Sequence, residues 1–278
     1  AAALLPGAAS GSGMDIILAA FRRGGLQNEE RLSTAAMQTL RGIAAVPECK
    51  AYVTVPEVTT TTLTQLGDTV NEAGALMQSA AVALLALVAD DETVLHELTT
   101  GGIFGIIRTI LTRHCGDPYS PNETLLQAVA ELLPALVSAH SVLGDTLEGG
   151  AEGDSAAGAR SCLRRVANVS QSSTGYLDTP ECMVAVLQLI AHACSANSTS
   201  PAVAAANQEA LMEAHADDMV VQAMSASTAT AEVLSTGRRA LAALGLSSKF
   251  RKYVGELSEH CSNTTAWLEA GYDADCAE

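Results

Sequence analysis

Apolar residues recur along this chain at spacings of three and four, the period of a helix that buries one face. Between residues 76 and 88, apolar residues at this spacing include Leu76, Ala80, Ala83, Leu84, Leu87 and Val88. Asp90, Asp91 and Glu92 follow, and acidic residues favour a helix start. Gly101 and Gly102 then interrupt the pattern. This stretch predicts three helices separated by a turn and a glycine break.

A short apolar motif repeats five times, which predicts five similar structural units. It reads LRGIA, LLALV, LPALV, LQLIA and LAALG, beginning at Leu40, Leu84, Leu133, Leu187 and Leu241. Successive copies are 44, 49, 54 and 54 residues apart, and we expect the excess over a helical repeat of about 42 residues to lie in loops. Stretches rich in Thr, Gly or Ser predict linkers at residues 58–64, 149–158 and 170–180.

Composition supports an all-α protein. Of the 278 residues, 48% are hydrophobic and only 3% are aromatic, and Ala and Leu favour packed helices over a β-sandwich. The formal charge of −16 would repel phosphate backbones, so we expect no nucleic acid partner. The longest apolar run, residues 80–89, is too short to cross a bilayer, so we expect no membrane insertion.

Seven cysteines without a CxxC pair indicate reduced thiols and an intracellular, cytoplasmic location. We divide the chain into a flexible N-terminal segment (1–13), a repeat domain (14–254) and a C-terminal helix or tail (255–278). The missing initiator methionine suggests a fragment or a processed product.

The sequence of residues 80–111, AAVALLALVADDETVLHELTTGGIFGIIRTIL, resembles an armadillo repeat. The likeness extends over about residues 14–253, and the last unit is similar to the closing repeats of eukaryotic armadillo proteins. The resemblance implies a right-handed α-solenoid of about five repeats, each built from three helices. It also implies a non-enzymatic interaction protein, and cytoskeletal and flagellar assemblies are settings in which such repeats often serve.

The chain departs from the peptide-gripping members of that family at two sets of positions. The asparagine of the third helix in each repeat is replaced, at Gly42, Ala86, Ala135, Leu189 and Ala243. The tryptophan four residues earlier is also replaced, at Gln38, Val82, Glu131, Ala185 and Arg239. Binding of extended peptides in the nuclear-import manner is therefore not expected.

Motifs for catalysis, metal or cofactor binding are incomplete, so we expect no enzyme activity, no metal and no cofactor. His96-Glu97 lacks the second histidine of HExxH, and His192 with Cys194 lacks a second ligand pair. His114 and Cys115 are adjacent on one helix and point about 100° apart. An enzyme's regulatory or accessory subunit is the alternative, motivated only by His96, His114, Cys115 and His192.

Two sets of surface residues are candidates for partner binding. A concave face is predicted to present polar residues to a folded or helical protein within a larger complex. Its members are Gln38, Arg41, Gln78, Gln127, Glu131, Gln188 and Arg239. A basic cluster at Arg238, Lys249, Arg251 and Lys252 could bind an acidic partner, although a solvated helix face is the more ordinary explanation.

Overall fold

A computed structural model describes residues 13, 16–21, 30–69, 74–115, 122–143 and 152–246 of the chain. Every regular element in these ranges is helical, which confirms the all-α prediction. A short helix covers residues 16–21. The helices that follow are α1 (Glu30–Ala44), α2 (Pro47–Lys50), α3 (Pro56–Thr69), α4 (Ala75–Val88), α5 (Glu92–Thr100), α6 (Ile103–His114), α7 (Glu123–Leu143), α8 (Glu152–Ser172), α9 (Thr174–Asp178), α10 (Pro180–Ala193), α11 (Pro201–Glu213), α12 (Ala216–Ser225) and α13 (Ala231–Ala243).

Five helices pack one after another in a single row, which we call the stack. In it, α1 packs on α4, α4 on α7, α7 on α10 and α10 on α13, and these are the most extensive helix contacts of the described residues. The five stack helices are those that carry the repeated motif. Its first leucine is buried in every copy, namely at Leu40, Leu84, Leu133, Leu187 and Leu241.

A second layer, made of α3, α6, α8, α11 and α12, packs on the stack helices. In this layer α6 packs on α8, and α8 packs on α11 and α12. Gly158 of α8 permits the close approach to α6, since a Cβ there would lie 3.0 Å from the Cβ of Phe104. The buried apolar side chains of both layers form one continuous core. Burial of that shared surface, more than local helix propensity, holds the elements together.

The predicted linker at residues 58–64 is instead part of α3, so that prediction is wrong. Val58, Thr59, Thr62 and Leu66 are buried, so packing outweighs the weak helix propensity of threonine. The Thr62 hydroxyl donates to the carbonyl of Val58 at 2.7 Å, which satisfies it within the helix. Composition alone does not reveal this compensation.

The predicted breaks around α7 and α8 also differ from the structure. Helix α7 continues through Pro134 and ends at Leu143. Residues 152–158, assigned to a loop, begin α8, and residues 170–172 end it. The predicted glycine break is confirmed, since Gly102 has φ +77° and directly precedes α6. That left-handed conformation is open to glycine at little cost.

No single helix in the described ranges is both long and apolar enough to cross a bilayer. Helices α5 and α6 meet the length and composition criteria only when joined, and they are bent by 70° at the glycine break. The apolar helices α4 and α10 have 14 residues each and lie within the stack.

Candidate functional site

The polar residues predicted to receive a partner lie on the stack, and most are exposed. Gln38, Glu131 and Arg239 sit two residues before the repeated leucine on α1, α7 and α13, and all three are exposed. Arg41 and Gln188 sit one residue after it on α1 and α10 and are also exposed. We call these five residues the polar row.

One further predicted residue supports the polar row from within the same helix. Gln127 is half-buried on α7, and its Nε2 donates to Oε1 of Glu131 at 2.8 Å. The two residues are four apart, so they lie on one face of the helix. The hydrogen bond fixes the direction of the Glu131 carboxylate and leaves its negative charge at the surface.

Gln78 departs from the prediction because its side chain is fully buried on α4. The helix is enclosed by α1 on one side and α7 on the other, and it also contacts α3 and α6. Gln78 is therefore not available to a partner. Leu76, expected to be buried, is instead 64% exposed near the start of the same helix.

The predicted basic cluster is only partly described. Arg238 is half-buried on α13, next to the exposed Arg239 of the polar row. Lys249, Arg251 and Lys252 lie outside the described residues, as do residues 1–12 of the predicted N-terminal segment 1–13 and the whole of the predicted segment 255–278.

The residues that motivated an enzymatic alternative lie on different helices. His96 is exposed on α5, His114 is half-buried at the end of α6, and His192 is half-buried near the end of α10. Cys115 follows His114, and its buried thiol donates to the carbonyl of Asn122 at 3.6 Å. Burial raises the pKa of Cys115 to about 11, so this thiol stays protonated near neutral pH and is a poor nucleophile.

The structure places Ser138 against His192, a pair that sequence reasoning did not single out. The Ser138 Oγ lies 2.6 Å from Nε2 of His192, joining α7 to α10. Burial lowers the pKa of His192, opposed by a hydrogen bond with the backbone of Pro134, so the neutral imidazole is favoured. Both residues lie five positions after the repeated leucine, so the repeat register could have indicated their contact.

Three other buried thiols are chemically quiet. Burial raises the pKa of Cys162, Cys182 and Cys194 to about 12. The Cys162 thiol also donates to the carbonyl of Phe104 at 3.3 Å. Cys194 is therefore a protonated core residue, although it stands only two positions from His192.

Among the residues that the structure describes, one group of possible metal ligands occurs at the start of α12. Ligand atoms of His215, Asp217 and Asp218 lie within 4.8 Å of one another. His215 and Asp218 are exposed, and Nδ1 of His215 lies 4.0 Å from Oδ2 of Asp218. The aspartates occupy the first helical turn, where negative charge complements the helix dipole, and that role alone accounts for their position.

No family model matches this chain, and no curated protein matches it. The resemblance to armadillo repeats therefore remains a prediction from the sequence. The class that the described residues establish is an all-helical protein with one continuous core.

Proposed function

We propose that this chain is an armadillo-like scaffold, a non-enzymatic structural or adaptor subunit of a eukaryotic protein assembly. Five repeats would form a right-handed α-solenoid in which the stack helices are the third helix of each repeat. The serial contacts from α1 to α13 support this proposal, since solenoid units contact chiefly their neighbours. An intracellular setting of the cytoskeletal or flagellar kind is part of the same proposal.

The observation that carries the proposal is the polar row. Positions two residues before or one residue after the repeated leucine present exposed Gln, Glu and Arg side chains on four of the five stack helices, the exception being α4. Neighbouring packed helices lie roughly 8–10 Å apart, so the row extends over roughly 35 Å. A surface of that length suits a folded or helical protein better than a small molecule.

Three members of the row give it charge of both signs. Glu131 is negative, and Arg41 and Arg239 lie on either side of it along the stack. A partner with a matching order of charges would be selected in one orientation. This specificity would hold even though each exposed ion pair contributes only about 0–1 kcal/mol.

Site-specific photo-crosslinking in a native extract tests the proposal. A photoreactive residue is placed at Gln38 in one variant and at Gln188 in another, and cross-linked proteins are identified by mass spectrometry. We expect the same macromolecular partner from both positions. Reversal of the row charges, by Glu131→Arg together with Arg239→Glu, should reduce the yield from both.

Glu209 supplies the matched control because it is exposed on α11, in the second layer. A photoreactive residue there should not capture that partner. Recovery of unrelated proteins from Gln38 and Gln188, or equal capture from Glu209, would contradict the proposal.

A further inference from the structure

A cleft of about 460 Å³ opens between α3, α5 and α6, on helices other than those of the stack. Its size falls within the usual range of small binding sites. Leu63 and Ile106 provide apolar surface, and Gly67 and Gly101 also line the cleft. A Cβ at Gly101 would lie 2.1 Å from Cδ2 of Leu63, so the absence of a side chain lets α3 approach α5 closely.

The two ends of the cleft carry carboxylates. Oε2 of Glu97 on α5 lies 3.4 Å from the hydroxyl of Thr60, which marks one end of the α3 wall. Asp68 stands at the other end of that wall, eight residues further along α3. At 1.5 Å per residue, the two carboxylate-bearing ends are about 12 Å apart.

The cleft lies in a part of the chain without cations. Residues 51–107 contain no Lys or Arg, although they contain seven Asp and Glu residues. Within the described residues no cation forms an ion pair with Asp68 or Glu97, whereas Asp90 of the same stretch is paired with Lys50 at 2.6 Å. The first cation after this interval, Arg108, is exposed on α6 and does not line the cleft.

We propose that this cleft binds an extended, basic segment of a partner protein. The segment would have two Lys or Arg residues separated by three positions, with an apolar residue at the middle one. In an extended chain such positions share one face, and the outer two are about 13 Å apart. That distance is close to the roughly 12 Å between the two ends of the α3 wall, and the apolar residue would contact Leu63 and Ile106. This inference does not depend on the polar row.

Synthetic peptides test the spacing. One seven-residue peptide has arginines at its second and sixth positions and leucine at its fourth. A control peptide has the same composition with the arginines adjacent. Fluorescence anisotropy should show tighter binding of the spaced peptide by the full chain. Asp68→Asn and Glu97→Gln should each weaken that binding about two- to fivefold, the range of an exposed ion pair.

Two variants separate the cleft from general electrostatic attraction. Glu92→Gln removes one charge from α5 at a residue outside the cleft lining, and should leave the affinity unchanged. Gly67→Leu fills the cleft and should remove binding, whereas Gly42→Leu adds the same group on α1, where a Cβ meets nothing within 4 Å, and should not. Equal binding of both peptides, or equal losses in Glu92→Gln and Glu97→Gln, would overturn the proposal.

Discussion

Helices α4 and α13 carry the same motif in the same stack, yet their surroundings differ. In α4 every residue from Met77 to Leu85 is buried, because α1, α7, α3 and α6 all contact it. In α13 the exposed residues include Glu232, Ser235 and Arg239, and its main contacts are with α10 and α12. The motif thus determines which side of a helix faces the next stack helix. The number of neighbouring helices determines how much of the rest of the helix is buried, and polar residues occupy what is left exposed.

Replacing the motif leucine with alanine should give the largest difference in stability between variants of the two helices. We expect Leu84→Ala to lower the free energy of unfolding by about 4 kcal/mol and Leu241→Ala by about 2 kcal/mol. The enclosed site on α4 cannot collapse around the cavity, whereas α13 has fewer neighbours to restrain it. Urea unfolding followed by circular dichroism measures both. Equal losses would show that α13 is as enclosed as α4.

Replacing a helical glycine with alanine should change the stability in opposite directions on α13, the last helix of the stack, and at an exposed position on α1, the first. A Cβ at Gly237 of α13 would lie 2.5 Å from Cγ of Met224, so Gly237→Ala should cost about 1–2 kcal/mol through overpacking. Gly42→Ala on α1 meets open space and should add about 0.5–1 kcal/mol through higher helix propensity. Thermal unfolding measures whether each variant is more or less stable than the unmodified chain. Stabilisation by Gly237→Ala would mean that Met224 adapts freely.

The helix caps test local structure in the two regions. Oδ1 of Asp91 accepts from the backbone N–H groups of Thr93 at 2.9 Å and Val94 at 3.2 Å, at the start of α5. The Thr230 hydroxyl at the start of α13 accepts one longer bond, 3.3 Å, from Val233. Asp91→Ala should cost about 1 kcal/mol and Thr230→Ala about half of that. A larger loss at Thr230, measured by urea unfolding, would contradict the ranking.

The smallest effect expected is a pH dependence at the contact between α7 and α10. The pKa of His192 is lower in the folded chain than its ordinary value of 6.5, so the unfolded chain binds more protons as the pH falls below that value. The contribution of His192 to stability is therefore complete above pH 6.5 and is lost on acidification. His192→Gln keeps a hydrogen-bonding side chain and should show a smaller loss. The measurement is the free energy of unfolding of both proteins as a function of pH, and parallel profiles would exclude this role of His192.

The stack was predictable from the sequence because it rests on repetition. The five leucines of the motif are buried and on helices that pack in series, which follows from helical period and repeat spacing alone. The break at Gly101 and Gly102 and the helix start after Asp91 were also predictable, since both depend on neighbouring residues.

Other features depend on contacts between distant residues and could not be predicted in the same way. Gln78 resembles Gln127 in position and type, but additional helices enclose it. The threonines of α3 suggest a linker until their burial is known. The cleft carboxylates at Asp68 and Glu97 are 29 positions apart in sequence, and only the packing of α3 on α5 brings them to one cleft.

Alkylation of the buried thiols would report local unfolding of the molecule. Cys115 directly follows α6, Cys162 lies in the middle of α8, Cys182 lies near the start of α10 and Cys194 directly follows its end. Alkylating reagents attack thiolates, so each of these cysteines becomes reactive only after its surroundings admit water. The order in which they are labelled would therefore reveal which layer separates first.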